Sequence, residues 1–491
     1  MPDTRGDSAL IGIDIGTSAV KAVMIAADGA RLATRTTPYP TARPAPGRVE
    51  QEPTQWMDAM RAALAAFAAH PMAGRVAGIG VTSQVNTHVF CGAEGAALGP
   101  AITWSDTRAA PQAAALDAQI DAGARTAALG APIPIDASHA LARMAWMAEH
   151  APEVWARTAH VLLPKDYAIA QLTGAVCADP IAAVGLVTPS MRYADPILAL
   201  LPGAADRLPP LRDPLDTAGT VAPGQPFAGV PVVCGTMDAW AAMFGVGVAR
   251  DGQAMLLCGT SDVAGLISGA HTPTPGVVTF PPWRGITLHA GPIQAGGAAL
   301  AWAAAMFGTT PQALADAAAP ITDTSPLFLP HLDGERAPLW DAQTRGTFAG
   351  LSARHGRAEV AAAVMEGVAF AGRLALDAVE AAGRHRADAI RVGGGGAQSH
   401  AWTRMRADAL GRPVLRMGGA EPGALGAAVM AGVGCGVMAD LPSAAELLVP
   451  QQARIDPDPA GAERAERRFA LFSQLYHAVR PVNAALSGAA P

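Results

Sequence analysis

ALIGIDIGTSAVKAVMIAADGARLATRTTPY, residues 9–39, holds the pattern that decides the fold. Two apolar runs flank a Gly16-Thr17-Ser18 turn, and a third strand-like segment follows Asp28-Gly29. Strand, polar turn, strand, Asp-Gly turn, strand reads as an antiparallel meander. The next stretch, QEPTQWMDAMRAALAAFAAH (51–70), has Pro53 near its start and apolar residues at helical spacing, so it reads as a helix. VAGIGVTSQ (76–84) then reads as a short buried strand. Strands and helices go on alternating to about residue 240, which gives an α/β domain.

A second stretch, QAMLLCGTSDVAGLISG (253–269), repeats that logic of apolar strand, Gly-Thr-Ser and apolar strand. The repeat implies two related halves, each opening on a hairpin whose turn offers backbone N–H groups and hydroxyls. Two such turns would grip a polyphosphate from both sides. The halves divide within GVGVARDG (245–252), so the expected domains are 1–248 and 249–491.

A chain of 491 residues is too long for one core, and 51% hydrophobic with 15% charged residues is the balance of a packed globular protein. A net charge of −6 with no Lys/Arg run excludes a basic nucleic-acid binder. Cys91, Cys177, Cys234, Cys258 and Cys435 form no CxxC pair, which argues against zinc and a disulfide framework and for a reducing compartment. MPDTRGDSALIGID has no apolar leader, and the uncharged run Gly423 to Ala439 is Gly-rich and short of a membrane span. The expectation is a cytoplasmic protein.

Three stretches carry chemistry. In the first turn, glycine permits close backbone approach, the Thr17 and Ser18 hydroxyls suit phosphate oxygens, and Lys21 neutralises charge. Asp14 sits inside an apolar strand, where a hairpin needs no carboxylate, and could hold Mg²⁺ directly or through water. The same residues also fit an ordinary Asp-x-Gly-Thr turn. In VVCGTMDAWAAMFG (232–245), the lone Asp238 between apolar segments is either a helix N-cap or a functional carboxylate. IRVGGGGAQSHAWTRMRADALGRPV (390–414) sets four glycines between strand and helix, where backbone can approach a flat or anionic ligand; it is neither a Walker A nor a G-x-G-x-x-G motif.

Taken in order, these motifs resemble the FGGY carbohydrate kinases, most nearly their xylulokinase-like branch, over almost the whole chain. LIGIDIGTSAVKAVM resembles the first phosphate motif and VEQEPTQWMDAM the helix after it. VLLPKDYAIAQLTG, with Lys165 and Asp166, resembles the first family signature, and EPGALGAAVMA the second. CGTMDAWAAMFGVGV resembles the segment of the catalytic Asp, LLCGTSDV the second phosphate motif, and FLPHLDGERAPLWDAQTRGTFAGLSARH a block diagnostic of xylulokinases. GGGGAQSHAWTRMRADALGRPV resembles the adenosine motif. The resemblance implies two ribonuclease-H-like α/β domains of the actin and sugar-kinase type with an interdomain cleft. It implies ATP with Mg²⁺, Asp238 as general base and Asp14 at the metal. Thr17, Ser18 and Lys21 would touch the γ end of the nucleotide, and Gly259 and Thr260 its phosphates. Gly297, Gly396 and Ala397 would hold the nucleoside. His400 matches a position that contacts adenine in relatives, though a surface helical His is the readier account of it.

The sugar side departs from the family pattern. Where xylulokinases carry Gln-Met-His, GVTSQVNTHVF (80–90) keeps Gln84 but has Val85 and Asn86, which shortens an apolar wall and changes a hydrogen-bonding group. ITWSDTRA (102–109) retains Trp-x-Asp-x-Arg, so Trp104 would offer an apolar face and Asp106 polar contacts, unless Asp106 and Arg108 form a structural pair. His88 either keeps to the side of Asn86 or packs inside. The expected substrate is a sugar or polyol, D-xylulose first, with gluconate or an L-ketopentose as runners-up; a non-catalytic sugar sensor is the alternative of another class. No nucleic acid or membrane partner is expected, and a homodimer is compatible with the chain.

Overall fold

The computed structural model describes residues 8–419 and 421–487. The leading Met1–Asp7, part of the stretch read as lacking an apolar leader, lies outside them. The chain divides into two compact units, one of Met1–Gly245 with Glu421–Val449, the other of Val246–Ala420 with Pro450–Pro491.

In the first unit the opening meander is present: β1 (Ala9–Ile15) pairs antiparallel with β2 (Ala19–Ala26), and β2 with β3 (Arg31–Pro38). The Val76–Ser83 strand joins β1 in parallel, and the Pro231–Val233 and Thr217–Thr220 strands complete six. β1 reads as a continuous apolar run because both its faces are covered. Ile11, Ile13 and Ile15 pack with Trp56, Met60 and Leu64 of α1 (Pro53–Ala68). The alternate residues face the Pro422–Gly434 helix: Leu10 lies against Gly432, Gly12 against Ala424 and Asp14 against Gly423.

That helix explains why the units differ from a single division at residue 248. Its small residues let it lie backbone to backbone on β1, on the Val76–Ser83 strand and on the Asp238–Gly245 helix. The tightest crossing is reciprocal, with Gly426 against the Ala241 carbonyl and Gly245 against the Pro422 carbonyl. The chain therefore returns to its first unit after residue 420.

The second unit repeats the scheme. Ala254–Cys258 and Asp262–Ser268 pair antiparallel, Thr287–Pro292 extends the meander, and Ile390–Gly393 and Val414–Met417 run parallel to the first strand in a seven-stranded sheet. Each Gly-Thr-Ser turn therefore stands at the carboxyl end of the strand that adjoins the parallel pair, which is where open α/β sheets present ligand sites. Among the described residues no helix is long and apolar enough to cross a membrane.

Candidate functional site

In the first unit, Asp14 and Asp238 come within electrostatic reach of one another. Asp14 lies near the end of β1 with its Cα paired to Lys21, and its Oδ1 is buried without a hydrogen-bond partner. Burial, then the Asp238 charge, push its carboxyl up to about 7 against the pull of Lys21. Asp238 opens its helix, and its Oδ1 accepts the Ala239 amide at 2.8 Å. Burial raises its carboxyl to about 6, opposed by backbone donors. Both groups would thus sit as costly anions at neutral pH, the condition of carboxylates kept for chemistry or a cation.

The sign of that cost is testable. A folded pKa above the unfolded value means that the native state holds the proton more tightly, so ionisation destabilises it. For Asp14 the penalty is absent below about 4 and complete above about 7. Asp14→Asn should raise the thermal midpoint at pH 8, with the gain shrinking toward pH 4 in a differential-scanning series. A lower midpoint at pH 8 would mean that the attraction to Lys21 dominates.

A buried polar scaffold fixes the start of the Asp238 helix. The Thr82 hydroxyl donates to the Thr236 carbonyl at 2.6 Å, and the Thr236 hydroxyl to Asp179 Oδ1 at 2.8 Å. Lys165 Nζ stands 2.5 Å from Asp166 and 2.9 Å from Asp179, and donates to the Cys234 carbonyl at 3.3 Å. Burial alone would lower the Lys165 ammonium, but the two carboxylates outweigh it and hold it well above its ordinary value. Trp240 and Phe244, fully buried, anchor the helix beyond. Thr236 and Asp179 carried no sequence signal beyond polarity in an apolar context.

Among the residues read as sugar contacts, Gln84 is buried while Val85 and Asn86 are partly exposed. Asn86 has φ 55°, a left-handed conformation that Asn tolerates, and its Nδ2 donates to the Ser138 hydroxyl at 3.2 Å. The cavity of about 30 Å³ beside Asn86 and His88 has room for about a water, not a sugar. His88 is buried with Nδ1 2.9 Å from Arg143; burial first, then the Arg143 charge, keep its ring well below the ordinary histidine range. Trp104 is 45% exposed, and its Nε1 donates to the Thr17 hydroxyl at 3.3 Å. Asp106 requires a correction. It is buried, Oδ1 accepts the Arg108 backbone and Nε at 2.9 Å each, and Oδ2 accepts the Val49 amide at 2.6 Å and Arg108 Nη2 at 2.7 Å. Its oxygens are saturated, so it braces a loop rather than presenting an acceptor to a sugar.

Thr17 and Ser18 are exposed in the first turn, and Lys21 lies on β2. In the second unit, Gly259, Thr260, Gly297, Gly396 and Ala397 gather at one place. The Gly297 amide donates to the Gly259 carbonyl at 2.9 Å and the Ala298 amide to the Thr260 carbonyl at 2.9 Å. A Cβ on Gly297 would stand 2.7 Å from the Gly259 oxygen, so only bare backbone fits there. Gly396 packs on Cys258, Ala397 is buried, and the Thr403 hydroxyl donates to the Ala397 carbonyl at 3.1 Å. A buried Arg406–Asp262 pair at 2.7 Å ties the adjoining helix to the strand after the turn. His400 is exposed at the start of that helix. No group of three or more His, Cys, Asp or Glu among the described residues is placed to hold a metal.

Residues 9–245 match the model of the N-terminal domain of the FGGY family of carbohydrate kinases, and residues 254–435 that of its C-terminal domain. The chain is 34% identical over 487 residues to a xylulose kinase of Klebsiella pneumoniae, covering 96% of this chain and 99% of that protein. It is 32% identical over 488 residues to one of Escherichia coli strain K12, covering 96% and 100%. Among solved structures, a crystal structure titled as a xyloylose kinase from Brucella ovis superposes with a TM-score of 0.85 at 31% identity, covering 96% of this chain and all of that one.

Proposed function

Because the chain belongs to the FGGY family of carbohydrate kinases, we propose that it phosphorylates a hydroxyl of a pentulose, D-xylulose, at the expense of ATP with Mg²⁺. The likeness to xylulose kinases over nearly the full length supports the substrate. The observation that carries the chemistry is Asp238, a carboxylate with no ion-pair partner among the described residues and a pKa of about 6. A sugar hydroxyl is a weak nucleophile until its proton has a place to go. Ionised Asp238 accepts that proton as the oxygen bonds to phosphorus, and its neighbours Thr236 and Trp240 keep the carboxylate in place.

The residues fit a Mg-nucleotide. Asp14 offers a buried, unpartnered oxygen, and Mg²⁺ is commonly held by one or two carboxylates together with substrate phosphates rather than by a protein cage. The bare backbone around Gly259, Gly297 and Gly396 leaves no side chain in the way of a phosphate or nucleoside. Thr17, Ser18 and Lys21 take the phosphate end, and Gly259, Thr260, Gly297, Gly396 and Ala397 the rest. When bound, Mg-ATP supplies the phosphoryl group and part of the neutralisation of its charge. We place the reaction in the cytoplasm, a reading supported by the five free cysteines.

Gln84, Val85, Asn86 and Trp104 form the proposed sugar side. Its test is kcat/KM for D-xylulose, D-ribulose, L-xylulose, xylitol and gluconate, in the parent and in the Val85→Met, Asn86→His double variant. D-Xylulose should lead in the parent. The double change should move preference further toward it, by roughly 10- to 200-fold, because Met fills apolar volume and His, which also tolerates the left-handed backbone of position 86, brings a ring nitrogen. An unchanged order in two folded, active proteins would remove these positions from the specificity determinants. A parent that prefers gluconate would replace D-xylulose as the substrate.

A further inference from the structure

The first unit contains a chain of two buried amides, the proposed sugar contact Gln84 and Gln51, the second of which has no part in the reaction above. Gln51, in the segment before α1, and Gln84, just after the Val76–Ser83 strand, are each 2% exposed. Gln84 Nε2 donates to Gln51 Oε1 at 2.8 Å, and Gln51 Nε2 donates to the Thr17 carbonyl at 2.7 Å and to the Thr41 hydroxyl at 2.8 Å. The polarity of this chain is forced. A backbone carbonyl only accepts, so Gln51 must turn its nitrogen to Thr17 and its oxygen to Gln84. Gln84 must then spend its nitrogen on Gln51, which leaves Gln84 Oε1 buried without a hydrogen-bond partner.

The two ends of the chain differ in kind. At one end is an open acceptor on a residue beside Val85 and Asn86. At the other is the turn of Thr17 and Ser18, whose own side chains are exposed. Three donors hold that turn from beneath: the Tyr39 hydroxyl donates to the Gly16 carbonyl, the Tyr39 amide to the Ser18 carbonyl at 3.1 Å, and Gln51 to the Thr17 carbonyl. Of these contacts to the backbone of the turn, only that of Gln51 leads on to the sugar side; the Trp104 indole reaches the turn separately, at the exposed Thr17 hydroxyl. An orphaned buried acceptor is costly, and a donor arriving with a ligand would satisfy it. A sugar hydroxyl is such a donor.

We propose that Gln51 is a positioning residue that couples sugar binding to the phosphate turn. A substrate hydroxyl donating to Gln84 Oε1 fixes the Gln84 amide, Gln84 fixes Gln51, and Gln51 fixes the Thr17 carbonyl and hence the turn. The inference rests on the sugar-kinase reading above. Coupling of this kind is reciprocal: sugar tightens nucleotide binding by the same factor as nucleotide tightens sugar binding.

The test is calorimetric and needs no turnover. The Kd of Mg-AMPPNP, an ATP analogue that keeps the γ-phosphate and is not turned over, is measured with and without a saturating amount of the sugar that leads the panel above, in the parent and in Gln51→Met, which keeps chain length and removes both ends of the amide. The parent should show a ratio of about 5 to 150, the usual range of coupling, and Gln51→Met a ratio near one. A residue that merely stabilised the fold would lower the thermal midpoint and weaken each affinity while leaving the ratio in place. A parental ratio in a folded Gln51→Met variant overturns the proposal. Should that variant fail to fold, Gln84→Met cuts the same chain at its other end, and retention of the ratio there overturns it equally. A parent that binds both ligands with a ratio of one overturns the coupling and leaves the kinase reading standing. A parent that binds and phosphorylates no sugar of the panel overturns both.

Discussion

Asp238→Asn is expected to cost sugar phosphorylation on the order of 10²–10⁴ in kcat while leaving the affinity for Mg-ADP close to that of the parent. The amide has the shape of the carboxylate, and its Oδ1 can still accept the Ala239 amide, so the helix start is kept. Thr236 remains held by Thr82 and Asp179, and Trp240 remains buried. What the amide cannot do is take a proton. Residues proposed for the nucleotide, among them Gly259, Thr260 and Gly297, belong to the second unit, whereas Asp238 belongs to the first. Removing one of two mutually repelling carboxylates should not lower the thermal midpoint. The parent should also show an acid limb in its pH–rate profile near the Asp238 value of about 6, and the residual activity of the variant should lack it. Near-parental kcat in a folded Asp238→Asn protein would remove Asp238 from the chemistry.

Gly426→Ala should be the most damaging single methyl in the first unit. A Cβ there would stand 1.6 Å from the Ala241 carbonyl oxygen and 2.9 Å from the Gly245 amide nitrogen. Both obstacles are backbone, so no side chain can swing aside, and the Pro422–Gly434 helix must lift from the Asp238–Gly245 helix. Overpacking of this kind costs about 1–3 kcal/mol or more. In a unit of this size that lowers the midpoint of the first unfolding transition by roughly 2–12 °C. Gly74→Ala is the control, since a Cβ there meets nothing within 4 Å and its backbone needs no left-handed conformation. Equal midpoints for the two variants would show that the helix crossing is not the packing constraint described above. Activity should fall with stability in Gly426→Ala, because the Asp238 helix is the surface displaced.

Both expectations separate what a reader of the sequence could see from what only packing reveals. The two meanders were legible because Gly-Thr-Ser and Asp-Gly turns punctuate apolar runs, and turn chemistry acts locally. The return of Glu421–Val449 to the first unit was not. A helix of Ala, Gly, Val and Met is equally at home on either sheet, and its partner is chosen by glycines at 12, 245 and 426 that lie far apart in sequence. Asp238 stood out as a lone carboxylate among apolar residues, but sequence could not tell a cap from a base; the family pattern favours the base. Asp106 illustrates the converse. Its motif resembled a ligand contact, whereas its fate is set by Arg108 and the Val49 amide, and hydrogen-bond saturation is a three-dimensional property. Gln51 escaped notice because an amide before a Pro-initiated helix looks like any polar residue at a helix entrance.

The central claim, that this chain transfers phosphate from ATP to D-xylulose, is tested most directly by ³¹P nuclear magnetic resonance. The protein is incubated with ATP, Mg²⁺ and D-xylulose, and the phosphorus signals are followed over time. The account predicts a sugar-phosphate monoester resonance growing in step with ADP, absent without sugar and lost in Asp238→Asn. ADP and inorganic phosphate appearing at the same rate with and without D-xylulose, with no monoester signal, would contradict it.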